Sequence, residues 1–296
     1  MKPKLVVIEG TNASGKSGLG VELAAHYGGE VVSADSRQVF RGLDLGSGKI
    51  TPEEMRSVPH HLIDIVEPND FFSMHDFQRL AYEAIEGILS RGRQPFLVGG
   101  TGLYVASVTE GYVMSDTKPD LEYRAYLETL DTPTLYQKLR TARPDVEVDG
   151  RNRNRVMRML EKIHDGDDLC APNAPRYDCL KLGVTWDRPV LRDRIDERLK
   201  RRLDQGMIEE VQGLMDQGAS VEFLKKLGLE YRFITQYLIG EIPDRQEMID
   251  LLALAIKQFA KRQMIWFRRD PEILWLDMTG DPVRQAREAI DRFLEQ

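Results

Sequence analysis

Cysteine is scarce in this 296-residue chain: there are two, Cys170 and Cys179. Two thiols are too few for a disulfide scaffold or a four-ligand zinc site, and they read as free thiols flanking a Pro-containing loop. Long apolar runs are missing as well. No stretch approaches the ~18 residues of a membrane-spanning helix, and the start carries no secretory leader with a cleavage site. Met1-Lys2-Pro3-Lys4 leads straight into an apolar strand, so the expectation is a cytoplasmic protein without a membrane partner. There is no internal repeat and no low-complexity tract, and nothing fixes the oligomeric state, for which a monomer is the default. What is present is ordinary for a folded protein. Hydrophobic residues make up 42% and charged residues 30%, which excludes a disordered or fibrous chain. The length suggests about two domains, or one domain with an insertion.

The net charge of −7 argues against a polyanion partner only if it is evenly spread, and it is not. Residues 151–162 carry five basic residues against one acid, residues 191–202 six against three, and residues 257–269 five against none. Each stretch alone reads equally well as a solvated helix face. Three together lean toward a polyanion, because local basic surface matters more than the total.

Apolar runs at Lys4–Gly10, Glu30–Asp35, Gln94–Gly100 and Leu180–Trp186 predict strands. Helical spacing predicts helices over Ser17–Tyr27, Phe77–Ser90 and from Asp187 onward, where Leu191, Ile195, Leu199 and Leu203 share a stripe. The chain stays helical through Phe267, and Trp275-Leu276 reads as a last short strand. Strands alternating with helices mean an α/β domain with a mainly parallel sheet. Between about Met114 and Arg176 the segments are polar and helix-like, which predicts a helical insertion, residues 114–176, in a core made of 1–113 and 177–296. His60 and His61 are adjacent on a predicted strand, so they point to opposite faces and read as structural. The pairs Phe71-Phe72 and Trp266-Phe267 read as core.

Gly10, Thr11, Asn12, Ala13, Ser14, Gly15, Lys16 and Ser17 fit G-x-x-x-x-G-K-[ST] between a predicted strand and a predicted helix. In such a loop the backbone N–H groups and the helix N-terminus face an anion. Lys16 reaches the terminal phosphate oxygens, and the Ser17 hydroxyl ligates Mg²⁺. The pattern says phosphate or diphosphate and does not by itself specify ATP. A P-loop kinase usually ends a further strand in an acid that holds the metal. Here Phe96-Leu97-Val98 runs into Gly99-Gly100-Thr101-Gly102, and the acid, Asp35, ends the second strand instead. Ligands of open α/β sheets bind at the carboxyl ends of the strands, which brings Asp35, Thr101 and the loop to one crevice. Asp35 alone reads equally well as a helix N-cap, and Thr101 as a turn residue.

These residues resemble the tRNA dimethylallyltransferase (tRNA isopentenyltransferase) family. The resemblance rests on Gly10-Thr-Asn-Ala-Ser-Gly-Lys-Ser17, Ser33-Ala-Asp-Ser-Arg-Gln38, Asp44-Leu-Gly-Ser-Gly-Lys49, Pro59-His-His-Leu-Ile-Asp64 and Val98-Gly-Gly-Thr-Gly-Leu-Tyr104. It continues in Arg155-Val-Met-Arg-Met-Leu-Glu161, Ala260-Lys-Arg-Gln263 and Trp266-Phe-Arg268, in order over nearly the whole chain. It implies a P-loop NTPase-like α/β fold, a parallel sheet flanked by helices with a helical insertion. It also implies transfer of a dimethylallyl group from dimethylallyl diphosphate to N6 of the adenine just 3′ of the anticodon, with Mg²⁺ as cofactor. By the same resemblance Asp35 is the general base, and residues 10–17 with Lys16 and Ser17 hold the diphosphate. Thr101 helps bind it, and Arg198 neutralises the leaving group, with Arg194 or Arg202 as alternatives. Asp35, Ser36, Arg37, Gln38 and Thr101 contact the tRNA, and Arg124, Asn154, Arg155 and Arg158 grip the anticodon stem-loop.

The chemistry is consistent with this assignment. An exocyclic amine is a poor nucleophile, and passing its proton to a carboxylate as the new bond forms is worth about 10²–10⁴-fold. The leaving diphosphate gains negative charge that N–H donors and cations stabilise. A stacked loop adenine must be extruded, at a cost that basic contacts to phosphates offset. Sequence-specific RNA readers act on single-stranded loops of this kind. The chain departs from the family pattern at several points. Thr11-Asn12 stands for Pro-Thr, Ser47-Gly48 for Thr-Ala, Asn154 for Gln, and Glu230 for Gly before Tyr231-Arg232. Competing readings are a cytokinin-type transferase acting on adenosine nucleotides, a P-loop kinase, and a noncatalytic RNA-binding protein with a vestigial loop.

Overall fold

The computed structural model describes residues 2–114, 120–166 and 172–296. They form two compact units, Met1–Gly111 with Pro175–Gln296, and Tyr112–Ala174. Cys170 lies outside the described residues.

The first unit is built on β1 (Lys4–Gly10), β2 (Glu30–Ala34), β3 (His60–His61), β4 (Pro95–Gly99), β5 (Asp178–Thr185) and β6 (Leu274–Asp277). They form one sheet in the order β3-β2-β4-β1-β5-β6, and every neighbouring pair is parallel. Strand β1 lies between β4 and β5, with Val6 opposite both Phe96 and Leu180. A central parallel strand is covered on both faces, which is why Lys4–Gly10 is an almost unbroken apolar run. Leu5 and Val7 pack toward α3 (Met74–Ser90) and α4 (Gly102–Thr109). Val6 and Ile8, one residue out of phase, pack against α1 (Lys16–His26) on the other face. Between β2 and β3 a short helix, α2 (Pro52–Met55), starts on a Thr51–Glu54 capping box. Helix α3 starts on the same device, with Ser73 and Asp76 exchanging bonds.

The second unit holds α5 (Leu121–Glu128), α6 (Thr132–Ala142) and α7 (Arg153–His164). Asp120, Asp131 and Asn152 each cap the following helix with a side-chain oxygen. Leu127, Leu135, Leu139, Val156 and Leu160 close the small core.

The chain then returns through β5 and a helical layer. It comprises α8 (Arg188–Asp204), α9 (Met207–Asp216), α10 (Val221–Leu227), α11 (Leu229–Leu238) and α12 (Arg245–Phe267). Ile195 and Leu199 of α8 join Val211, Tyr231, Ile234 and Ile256 in its core. Asp187 stands at the N-cap of α8 but its side chain makes no cap bond. Finally α13 (Pro282–Glu295) seals the α1 face with Ala286 and Ile290.

Two local expectations need comment. Phe71 is 78% exposed rather than core, because on the extended approach to α3 neighbouring side chains diverge and only Phe72 packs inward. Phe267 is buried as expected, and Trp266 lies half-buried over Gly102. Each of the two histidines makes a structural bond. His61 Nε2 lies 2.7 Å from Glu30, and His60 Nδ1 lies 2.8 Å from the Val58 carbonyl. The Cys179 thiol is free, and burial pushes it up to about 12, so it stays an unreactive thiol at neutral pH. Among the described residues no helix is long and apolar enough to cross a membrane.

Candidate active site

The loop between β1 and α1 is the anchor. Gly15 enters α1 at φ 91°, a conformation open to glycine, and Ser14 N–H closes a turn on Thr11 O at 3.3 Å. The loop is held from outside by α8 and α12. Arg194 Nε donates to Ala13 O (3.1 Å), Trp186 Nε1 to Ser14 O (2.8 Å) and Arg198 Nη1 to Asn12 Oδ1 (3.3 Å). Asn12 N–H donates to Gln263 Oε1 at 2.9 Å. Ser14 Oγ is buried without a hydrogen-bond partner, an orphaned polar atom at the heart of the loop.

Loop residues 12–17 line a cleft of about 540 Å³ together with Asp35, Gln38, Gly48, Arg194, Arg198 and Arg202. The cleft opens at the carboxyl ends of β1 and β2, where an open parallel sheet binds its ligands. Lys16 lies at its floor. Burial, reinforced by Arg198 and Arg202 and opposed by Asp35, pulls its ammonium down to about 8. Burial and the adjacent Arg202 likewise lower Arg198 to about 10. A cluster of cations that destabilise one another in the free protein is poised to take a polyanion.

Asp35 directly follows β2 and does not cap a helix. Its Oδ1 accepts from Arg37 N–H (2.9 Å) and Gln38 N–H (3.4 Å), which fixes the carboxylate in a tight turn. Oδ2 makes no hydrogen bond among the described residues, so one oxygen is fixed and the other is left without a partner. Thr101 sits across from this turn: its Oγ1 accepts from Ser36 N–H at 3.1 Å and donates to Ser36 Oγ at 3.4 Å. Gln38 donates to Gly48 O at 3.2 Å. Arg37 faces inward, where its Nη1 donates to Glu230 at 2.7 Å and its guanidinium lies over Phe259.

The arginine alternatives separate here. Arg194 is tied to the loop backbone and stacked on Trp186 at 4.4 Å. Arg198 reaches across the cleft from Asn12 to Gly48 O (3.4 Å). Three contributors have roles that sequence reasoning did not assign. Gln263 ties the loop to Gly100 O at 2.8 Å. Glu210 accepts from the N–H groups of Asp44, Leu45 and Gly46 (3.2, 2.6 and 3.0 Å) and from the Tyr231 hydroxyl. Glu230 neutralises Arg37. Each lies on a distant helix; Gln263 stands in a family motif and Glu230 as a departure from one, but nothing local names their partners.

In the second unit, Arg124 and Arg158 lie 3.1 and 3.2 Å from Glu161, whose side chain is 2% exposed. Asn154 and Arg155 stand exposed on the first turn of α7. Arg153 donates to the carbonyls of Leu127, Glu128 and Leu130, a structural role.

The family model described as IPP transferase matches residues 38–270, and that of isopentenyl transferase matches residues 3–66. The chain belongs to the IPP transferase family. It is 48% identical to tRNA dimethylallyltransferase 2 of Shewanella sediminis, the match spanning 97% of each chain. It is 45% identical to tRNA dimethylallyltransferase 1 of Geotalea daltonii over 95% of this chain and 93% of that one. Among solved structures, the full-length tRNA isopentenylpyrophosphate transferase of Bacillus halodurans superposes with a TM-score of 0.77. It is 39% identical and covers 99% of this chain and 97% of its own. A eukaryotic dimethylallyltransferase acting on tRNA superposes with a TM-score of 0.82 at 25% identity, over 99% of this chain and 80% of its own. The resemblance read from the motifs and the α/β architecture therefore hold.

Proposed function

We propose that this IPP transferase transfers a dimethylallyl group from dimethylallyl diphosphate to N6 of the adenine 3′ of the anticodon in tRNA, releasing diphosphate. The observation that carries the reading is a single cleft in which a phosphate loop with Lys16 and Arg198 shares walls with Asp35, whose Oδ2 is free. The relatives' substrate, tRNA, supplies the acceptor class.

In this account the loop N–H groups, Lys16 and Arg198 bind the diphosphate and stabilise its growing negative charge as the C1–O bond breaks. The adenine N6 attacks C1, and Asp35 takes the N6 proton. Thr101 holds the Asp35–Gln38 turn through Ser36, and that turn lies against the acceptor nucleotide. No cluster of three or more acidic, histidine or cysteine side chains suited to a metal exists among the described residues. The Ser17 hydroxyl in the cleft fits Mg²⁺ held mainly by diphosphate oxygens and water, the usual mode for that ion. When bound it would neutralise phosphate charge. The exposed Arg155 and Asn154, with Arg124 and Arg158, form the stem-loop contact on the helical unit. The reaction takes place with its tRNA substrate in the cytoplasm.

The test is to incubate the protein with Mg²⁺, radiolabelled dimethylallyl diphosphate and unmodified tRNA, with parallel tubes holding AMP or ATP. Label in tRNA that disappears when the single adenine is replaced supports the reading. Label in the mononucleotide moves the protein to the cytokinin-type reaction. Binding of tRNA with no transfer to any acceptor refutes an enzymatic role.

A further inference from the structure

Arg202, one turn beyond Arg198 on α8, is a buried cation with an unused arm. Its side chain is 9% exposed, and Nη1 lies 3.6 Å from Glu230, itself 1% exposed. Nη2 is buried without a hydrogen-bond partner. Such a vacancy on a charged group is costly and calls for a ligand. The residue lines the cleft that holds the phosphate loop, Lys16 and Arg198.

Two departures from the family pattern converge on this arm. Gly48, at φ +65°, stands over the paired guanidinium groups, and a Cβ there would overlap Nη2 of both Arg202 and Arg198. With a side chain there, as in the family's usual Ala, the two guanidinium ends would have to shift; glycine leaves room for both where they stand. Glu230 sits on the far side, taking Arg37 at 2.7 Å with one oxygen and facing Arg202 with the other. Without that carboxylate, three guanidinium groups would crowd together in a poorly solvated space. The backbone over the pair is pinned in turn. Glu210 accepts from residues 44–46, and Lys49 donates to Phe40 O (3.0 Å) and Asp44 (2.6 Å).

We propose that Arg202 is a second anion-binding arginine of the cleft, which with Arg198 holds the phosphate oxygens of a diphosphate, whether on the prenyl donor or on the released product. Gly48 admits it, and Glu230 is its positioning residue. The inference rests on the reading that the cleft takes a diphosphate. Two adjacent guanidinium forks suit this ligand because each can grip two oxygens, and the Coulomb cost of pairing them falls once the anion is seated.

Titration of the full chain with inorganic diphosphate in magnesium buffer tests both levels. Wild type, Arg202→Met, Glu230→Gln, the Arg202→Met/Glu230→Gln double variant and Lys16→Met are compared, with tRNA affinity and circular dichroism as controls of folding. Arg202→Met is expected to weaken diphosphate binding at least tenfold (about 1.4 kcal/mol) while tRNA affinity holds. Glu230→Gln weakens it several-fold in the wild-type background and by less than about twofold once Arg202 is gone, the signature of one residue acting through another. The double variant removes both Arg202 and the carboxylate it faces, so no unpaired charge is left between those two positions; Arg37 alone loses its partner, and circular dichroism checks the fold. If it binds diphosphate as wild type does, Arg202 is structural only and the proposal is overturned. Wild-type binding abolished by Lys16→Met but untouched by Arg202→Met sinks this proposal alone. No diphosphate binding to wild type sinks the underlying reading with it.

Discussion

Gln263 of α12 and Asn12 of the phosphate loop are joined by a 2.9 Å bond from the Asn12 N–H to Gln263 Oε1, although 251 residues separate them. The same amide donates from Nε2 to Gly100 O at 2.8 Å, so one buried side chain spans the loop after β1 and the turn after β4. Replacing it with Leu leaves an N–H and a carbonyl without partners. Gln263→Leu is expected to lower unfolding free energy by about 2–4 kcal/mol. It also raises the KM for the prenyl diphosphate more than it lowers tRNA affinity. Denaturant unfolding and steady-state kinetics check both.

Lys16 gives the free protein a pH signature. With its ammonium pulled down to about 8, it is charged below that pH and neutral above. An anion in the loop favours the charged form, so binding takes up a proton above pH 8. The apparent affinity for diphosphate therefore falls by up to tenfold per unit as pH rises past about 8. In Lys16→Met the affinity is weaker throughout and this slope is absent. Calorimetric titration at pH 7 to 9.5 measures it.

Glu9 is an independent test of the sheet. It sits on β1 between Gly99 and Gly183, and burial, then Asp270, pushes its carboxyl up from 4.5 to about 8. The sign follows from proton counting. Below pH 4.5 the folded and unfolded chains are both protonated here. Between 4.5 and 8 only the folded chain keeps the proton, so the stability it contributes is present at low pH and lost as pH rises through 8. Glu9→Gln is expected to remove a decline on the order of 3 kcal/mol between pH 5 and 9, read by urea unfolding across that range.

On the helical unit, Arg155 is exposed at the start of α7, whereas Arg124 and Arg158 share the buried Glu161. Arg155→Ala is expected to weaken tRNA binding and reduce the slope of log affinity against log salt by about one. Filter binding from about 50 to 300 mM salt reads it out. An unchanged slope removes Arg155 from the interface.

How much of this was legible in the sequence depends on how local each signal is. The phosphate loop is contiguous, and the apolar runs of β1, β2, β4 and β5 are continuous because both faces of a parallel sheet are covered. Asp35 and Thr101 followed from one rule about strand ends. Gln263, Glu210 and Glu230 did not, since an isolated polar residue on a helix shows nothing of a partner far along the chain. Glu230 was visible only as a departure from the family pattern, and its meaning came from Arg37 and Arg202 beside it. Phe71 misled because an aromatic pair does not reveal which member faces the core.

The central claim is that Asp35 takes the proton from an adenine amine as a prenyl group leaves its diphosphate. The most direct measurement is the single-turnover rate of label transfer from bound dimethylallyl diphosphate to bound tRNA, in wild type and in Asp35→Asn. The asparagine keeps an oxygen for the Arg37 and Gln38 N–H groups but has no carboxylate to accept the proton. The account predicts a fall of about 10² to 10⁴ in that rate, with both substrates still bound. A variant that transfers the label within a few-fold of wild type would contradict it.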